Sequence, residues 1–381
     1  MNNKTVQFAP SEKPIIFSFF SGCGFLDLGF EKSDFDIRFV NEYHKPFHDA
    51  YRYARKKMNI PEPMYGYHLG SIEEFFTAPL KNSLKQLIKQ SQKDNIVGFI
   101  GGPPCPDFSV AGKNKGRNGD KGKLTEAYID IIVTFKPDFF LLENVKGLIS
   151  NKKHFAFYNE IKAKLENSGY ILTDRMINGI EVGVPQDRDR ILLFGIKKTK
   201  MMHNQRNKLA ENFNWNAHIK FDKKTILNKE LWPDTTPYSA NSILKQPILP
   251  LDALKLTIEY WFRLNNVNNH ANANHHFKPR SGLSKMQTIS EGDVSRKSFK
   301  RLHRWRYSPT AAYGNNEVHL HPYQDRRLSI SEAMAIQSLP KEFELPNEMT
   351  LTDMFKTVGN GVPYLMAEAI AKTIRDFLKT I

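Results

Sequence analysis

Five short apolar runs restrict this 381-residue chain more than any other feature. They cover 15–20, 37–41, 96–100, 137–142 and 191–196, and each meets a glycine turn, an acid or an arginine-rich turn. Apolar runs of this length bounded by turn signals read as buried strands. Buried strands alternating with helical stretches belong to an α/β fold with a mostly parallel sheet. In such sheets ligands and chemistry gather beyond the carboxyl ends of the strands.

The residues just past each strand therefore matter. The first run leads into Ser21-Gly22-Cys23-Gly24 and a helix through Leu26, Leu28 and Phe30. A strand, a glycine turn and a helix N-terminus together cradle a nucleotide or cofactor. The second run ends on Glu42, about 20 residues on from the glycines, where a carboxylate reaches a ribose hydroxyl pair. Tyr43 beside it stands where it would flank an adenine, or simply packs. Residues 47–93 read as helical, basic and solvated, with a third strand ending near Gly70-Ser71-Ile72. The fourth run stops at Gly101-Gly102-Pro103-Pro104, and two prolines hold Cys105 in a rigid turn. A packing cysteine is the plainer reading, but that frame suits a nucleophile better. The fifth run ends on Glu143, at the same edge. In Gln186-Asp187-Arg188-Asp189-Arg190 the alternation puts both arginines on one face of an extended chain, unless they are only salt-bridged on the surface.

The formal net charge of +15 favours a polyanionic partner, nucleic acid before membrane. Cys23 and Cys105 are the only cysteines, so no disulfide framework exists. The first 14 residues hold no apolar signal core and no apolar span is long enough to cross a bilayer, so a cytoplasmic protein is expected. Residues 112–123 carry four glycines and five Lys or Arg against one acid, and read as a lid that closes on phosphates. From 197 to 306 the βα rhythm disappears, which predicts a separate smaller domain of irregular strands and loops. It ends in 295–307, where six Lys or Arg are interleaved with Phe299, Trp305 and Tyr307. Cations for phosphates and flat rings for bases suggest a nucleic-acid surface; a basic helix with its aromatics turned inward is the competing reading. Beyond it, Ser329 and Glu332 form a capping box at a helix start, 355–363 reads as a turn, and 364–380 as the final helix.

Phe20-Ser-Gly22-Cys-Gly24, Glu42, Gly102-Pro-Pro-Cys105, Glu143-Asn-Val145, Gln186-x-Arg188-x-Arg190, Arg327…Glu332 and Gly359-Asn360-x-Val362-Pro363 occur in one order. In that order the chain resembles the DNA (cytosine-5) methyltransferases, of bacterial restriction-modification type, over nearly all its length except 197–306. The resemblance implies an S-adenosylmethionine-dependent catalytic domain (1–196) with a Rossmann-like sheet, a smaller irregular target-recognition domain (197–306) and a C-terminal return to the catalytic domain (307–381), with DNA in the cleft between. It makes Cys105 the nucleophile that adds to C6 of a flipped-out cytosine and Glu143 the acid at N3. Arg188 and Arg190 would offset charge at O2 and lower the thiol pKa. S-adenosylmethionine would lie against Phe20, Ser21, Gly22, Gly24, Leu26, Glu42, Tyr43, Ser71, Ile72, Pro104, Leu124, Asn360 and Val362, with no metal. DNA contacts would fall to Ser109, to Lys113, Lys115 and Arg117 in the lid, to Gln186, and to Arg296, Lys297, Lys300, Arg301, Arg304 and Arg306. A monomer on duplex DNA is expected, with a restriction endonuclease as the possible second half of the system.

Three positions depart from the family pattern: Pro106 for a usual Gln, Ser71 for an acid that binds the adenine amino group, and Phe25 for a further glycine. Two other functions share this scaffold. An RNA cytosine-5 methyltransferase acting on tRNA would need less recognition surface than the 197–306 region offers, and a silent DNA-binding regulator would not need Cys105, Glu143 and both arginines. A nicotinamide dehydrogenase shares the glycine loop and Glu42 but has no use for Gly-Gly-Pro-Pro-Cys.

Overall fold

The computed structural model describes residues 13–104, 120–150, 152–202, 206, 209–250, 252–279, 282–296, 298–311, 313 and 318–381. The first half alternates β1 (Ile15–Phe19), α1 (Phe25–Glu31), β2 (Asp36–Glu42), α2 (Lys45–Lys57), β3 (Tyr67–Leu69), α3 (Leu80–Asp94), β4 (Val97–Gly101), α4 (Asp120–Phe135), β5 (Phe139–Val145), α5 (Lys152–Asn167), β6 (Tyr170–Asn178) and β7 (Asp189–Lys197). These strands form one sheet in the order β3-β2-β1-β4-β5-β7-β6. β1 to β5 are parallel, and β7 runs antiparallel between β5 and β6. The winding reverses between β1 and β4, where Phe19 pairs with Gly101. The chain leaves that crevice in opposite directions, which opens the binding edge of such sheets.

The central strands are buried on both faces, so their sequences are continuous apolar runs. On one face Phe17, Phe99 and Phe140 pack with Ile131, Phe157 and Ile161 of α4 and α5. On the other, Ile16, Ile100, Leu141 and Phe194 pack with Phe30 of α1 and with Met366, Ile370 and Phe377. Those last three lie on the C-terminal helix, which closes against α1 because Gly29 has no side chain. A Cβ there would stand 2.5 Å from the Ala367 carbonyl carbon.

β6 escapes a search for apolar runs. It is an edge strand whose Asp174 and Arg175 are half-buried, and one neighbour is enough to hold it.

The expected boundary at 197 does not coincide with a change of core. Met201, Leu209 of α6 (Leu209–Asn212) and Phe213 join the sheet's core, and Phe213 stacks on Phe194 at 4.4 Å. Trp215 Nε1 donates to Thr173 Oγ1 of β6 at 3.0 Å. The next stretch is built from short helical turns rather than strands: α7 (Lys223–Ile226), α8 (Ile258–Leu264) and α9 (Leu283–Gln287), with 3₁₀ turns between. The two-residue β8 (Lys300–Arg301) pairs with β9 (His319–Leu320), on the far side of the expected boundary at 306. Ile258, Trp261 and Leu302 likewise share a core with Leu328 and Ile336 of the C-terminal part. Periodicity cannot reveal such shared cores, because each segment supplies only a few apolar residues.

The C-terminal part contains α10 (Ile330–Ile336), α11 (Leu351–Asn360) and α12 (Tyr364–Leu378). Ser329 caps α10 with the expected capping box: its Oγ accepts from Glu332 N–H, and its own N–H donates to Glu332 at 2.7 Å. The turn expected over 355–363 is instead the end of α11, with the bend confined to Gly361-Val362-Pro363. Gly-Asn-Gly is a turn signal; here carbonyl acceptors at the helix end are satisfied from elsewhere in the fold.

Candidate active site

At the end of β1 the backbone enters the left-handed region at Phe20 (φ 54), Gly22 (φ 56) and Gly24 (φ 80). Phenylalanine pays strain for that conformation, so the turn must be held. Glu42, at the end of β2 and buried, accepts from Gly22 N–H at 2.8 Å and His44 N–H at 2.7 Å. From behind, Arg55 of α2 donates to Cys23 O at 3.3 Å and Gly24 O at 2.7 Å. Arg55 is itself buried, paired with Glu31 at 3.0 Å and lying 4.1 Å from the Tyr51 ring centroid. Tyr51 Oη donates to Asp27, which also accepts from Ser18 Oγ. Reading 47–93 as merely solvated misses this brace. Its sequence signal is modest: Tyr51 and Arg55, four apart, share the face of α2 that carries Ala50 and Ala54.

This cradle fits a bound S-adenosylmethionine. Ser21 Oγ is buried beside the glycine turn and has no hydrogen-bond partner. Tyr43, 75 % exposed, stands next to Glu42. Pro104 and Leu124 are half-buried and Asn360 is exposed, whereas Leu26, Ile72 and Val362 belong to the cores beneath. Ser71 is committed elsewhere: its Oγ accepts from Glu73 N–H as the cap of a 3₁₀ turn, and its N–H donates to Glu74 at 2.8 Å. Phe25 is absorbed by the fold, edge-on to Phe343 at 5.2 Å and directly under Gly361.

Across the switch point, β4 ends at Gly101-Gly102. A Cβ on Gly102 would stand 2.7 Å from Glu143 Oε2, so glycine lets that carboxylate tuck beneath the turn leading toward position 105. Glu143 is buried on β5, with Oε1 2.7 Å from Arg190 Nε on β7. Burial raises its pKa, against the pull of Arg190 and Arg188. Cys105, Ser109, Lys113, Lys115, Arg117 and Lys297 lie outside the described residues, as do the departure at Pro106 and most of the expected lid. Cys23 is a buried thiol that accepts from Thr357 Oγ1, and burial pushes its pKa up to about 12.

The arginine pair divides its work. Arg190 faces Glu143. The Arg188 side chain donates through Nη1 to Ala311 O at 2.9 Å, and through Nη2 to Gly359 O at 2.7 Å and Gly361 O at 3.1 Å. Only its Nε has no partner. Burial and the neighbouring Arg190 push the Arg188 pKa down, with Glu143 pulling the other way. The expectation that both guanidinium groups face the reacting base is thus corrected for Arg188. Gln186 is also buried: Oε1 accepts from Ala311 N–H at 2.9 Å and Nε2 donates to Gln337 at 3.2 Å. It is not on a DNA-facing surface.

The 295–307 stretch is corrected in the same way. Arg301 is fully buried, donating to the carbonyls of Ile289, Met286 and His321, with its guanidinium 3.6 Å from the Tyr238 ring centroid. Arg304 pairs with buried Glu291 at 2.8 Å and stacks on Tyr323. Trp305 is buried and Arg306, half-buried, donates to Pro233 O. A planar guanidinium satisfied by carbonyls serves as a core residue, and a charge pattern alone cannot distinguish that use from a phosphate contact. Arg296 is exposed beside Asp293 and Lys300 is half-buried, so these two remain on the surface. Glu332 takes its bidentate partner from Arg326, while Arg327 lies over the Phe277 ring.

Among the described residues no group of three or more His, Cys, Asp or Glu is placed to hold a metal, and no helix is long and apolar enough to cross a membrane.

The family model for C-5 cytosine-specific DNA methylase matches residues 15–376. The chain is 55 % identical over 371 residues to the type II methyltransferase M.NmeDI of Neisseria meningitidis serogroup C, covering 97 % of this chain and 85 % of that one. It is 30 % identical to M.FnuDI of Fusobacterium nucleatum, covering 95 % and 94 %. In fold it is similar to a DNA modification methyltransferase encoded within an Escherichia coli prophage (TM-score 0.65, 20 % identity, 96 % and 100 % covered). It is also similar to the Dnmt2 methyltransferase of S. pombe (TM-score 0.58, 12 % identity, 97 % and 99 % covered).

Proposed function

The chain belongs to the C-5 cytosine-specific DNA methylase family, and from that premise we propose a type II modification methyltransferase working through a covalent Cys105 adduct on a flipped-out cytosine. The observation that carries the proposal is the buried Glu143–Arg190 pair beneath Gly102, at the strand ends where β4 delivers the chain toward Cys105.

C5 of cytosine is a poor nucleophile. The Cys105 thiolate forms a bond to C6 and the ring electrons move toward C5, while Glu143 hands a proton to N3. Burial raises the pKa of this carboxyl, which favours the protonated form the step needs. Arg190 orients the carboxyl and offsets negative charge on the ring. When bound, S-adenosylmethionine supplies the sulfonium methyl group that C5 takes up. Water takes the C5 proton, the S–C6 bond breaks and the thiolate leaves, and N3 returns its proton to the Glu143 carboxylate. Gly22, Ser21 and Gly24 would hold the cofactor's methionine end, Glu42 its ribose and Tyr43 its adenine. Since C5 and C6 are stacked within a duplex, the target must leave the helix.

Bisulfite sequencing of plasmid DNA from cells expressing the chain tests the product and reveals the site. An oligonucleotide carrying 5-fluorocytosine at that site should trap an adduct that survives denaturation, and Cys105→Ser should abolish it. Methylation unaffected by Cys105→Ser would overturn the mechanism. A cognate endonuclease is proposed on the strength of the named type II relatives, and the protein itself is proposed to act as a cytoplasmic monomer.

A further inference from the structure

An α-helix leaves its last four carbonyls without intrahelical partners, and the usual remedy is a left-handed glycine just beyond its end. α11 does without one, because Gly361 has φ −64 and ψ 150. Its carbonyls are met instead by side chains from two other parts of the chain. Val358 O accepts from Gln337 Nε2 at 2.5 Å, and Gly359 O from Arg188 Nη2 at 2.7 Å. Gly361 O receives both, at 3.5 and 3.1 Å. A cation at a helix C-terminus also complements the helix dipole.

Gln337 closes the arrangement. It is fully buried just past α10, and its Oε1 accepts from Gln186 Nε2 at 3.2 Å. Its backbone carbonyl accepts from Tyr364 N–H at 2.9 Å, which fixes the start of α12. Exposed Asn360 sits between pinned carbonyls on either side. We propose that Gln337 is a positioning residue for cofactor binding: it holds the end of α11 so that Asn360 is presented to S-adenosylmethionine. This rests on the proposed placement of Asn360 in the cofactor site.

The test compares Gln337→Met, which keeps length and volume but cannot donate, with Ile336→Val, a neighbouring core substitution that leaves the amide in place. Steady-state methylation and calorimetric titration with S-adenosylhomocysteine are measured on each full-length protein. Losing a buried donor is expected to raise KM for S-adenosylmethionine and Kd for S-adenosylhomocysteine about tenfold. In the same variant kcat and KM for DNA should stay within twofold. An unchanged cofactor KM, an equal rise in Ile336→Val, or parallel losses in kcat and DNA KM would each overturn it. Calorimetry reads cofactor binding without turnover, so an inactive wild type that binds S-adenosylhomocysteine would count against the methylation reading alone. If Gln337→Met does not fold, hydrogen exchange on the wild type decides. Saturating S-adenosylhomocysteine should slow exchange at residues 357–364, and unchanged exchange there overturns the assignment.

Discussion

Glu143 Oε1 lies 2.7 Å from Arg190 Nε, and the two residues reach each other diagonally across β5 and β7, where Glu143 pairs with Leu192 and Val145 with Arg190. Burial raises the carboxyl's pKa while the guanidinium limits the rise. For a carboxyl whose folded pKa is raised, the folded state holds more protons, so this group's contribution to stability falls as pH climbs from the ordinary glutamate range through the raised value. The same titration removes the acid the proposed chemistry needs. Glu143→Gln should lower kcat by about 10²–10⁴. The alkaline fall in kcat that reports this group in the wild type should be missing from the residual activity, as a pH–rate series on both proteins would show.

Arg301 and Arg296 stand five residues apart with opposite expectations. Arg301→Ala strands the carbonyls of Ile289, Met286 and His321 and should cost about 3 kcal/mol in urea unfolding. Arg296→Ala should leave stability within about 0.5 kcal/mol. If Arg296 meets a phosphate, its loss should reduce the slope of log affinity against log salt by about 1. An unaltered slope would remove Arg296 from the DNA surface.

Cys23 should be chemically silent in the folded protein. Its thiol is buried and its pKa stands at about 12, so almost no thiolate exists near neutral pH. Iodoacetamide at pH 8 should leave Cys23 unmodified until denaturant is added, and Cys23→Ser should still trap 5-fluorocytosine DNA. Peptide mass mapping before and after unfolding checks the first expectation.

Gly361 and Phe25 should be energetically coupled. A Cβ at 361 would stand 2.2 Å from the Phe25 ring, and such overpacking costs about 1–3 kcal/mol. In a Phe25→Ala background Gly361→Ala should cost less by about 1 kcal/mol or more, since the obstructing ring is gone. Additive losses in a double-mutant cycle would show that the contact is not limiting.

The strands and their ends were legible because burial on both faces forces continuous apolar runs, and because glycine turns and acids interrupt those runs abruptly. β1, β2, β4, β5 and β7 were found in this way, as was the Ser329 capping box, a purely local device. β6 was not, since an edge strand can carry Asp174 and Arg175.

Which face a long polar side chain turns to lies beyond a one-dimensional pattern. The sequence by itself determined the α/β class, the order of the motifs and the family to which they belong. Only the tertiary structure decided that Arg301, Arg304 and Gln186 are interior, that Arg188 holds carbonyls while Arg190 faces Glu143, and that Arg55 braces the glycine turn. The reason is physical. A guanidinium or an amide is as well satisfied by buried carbonyls as by water or phosphate, and those carbonyls come from residues 12 to 173 positions away, brought within reach only when the chain has folded.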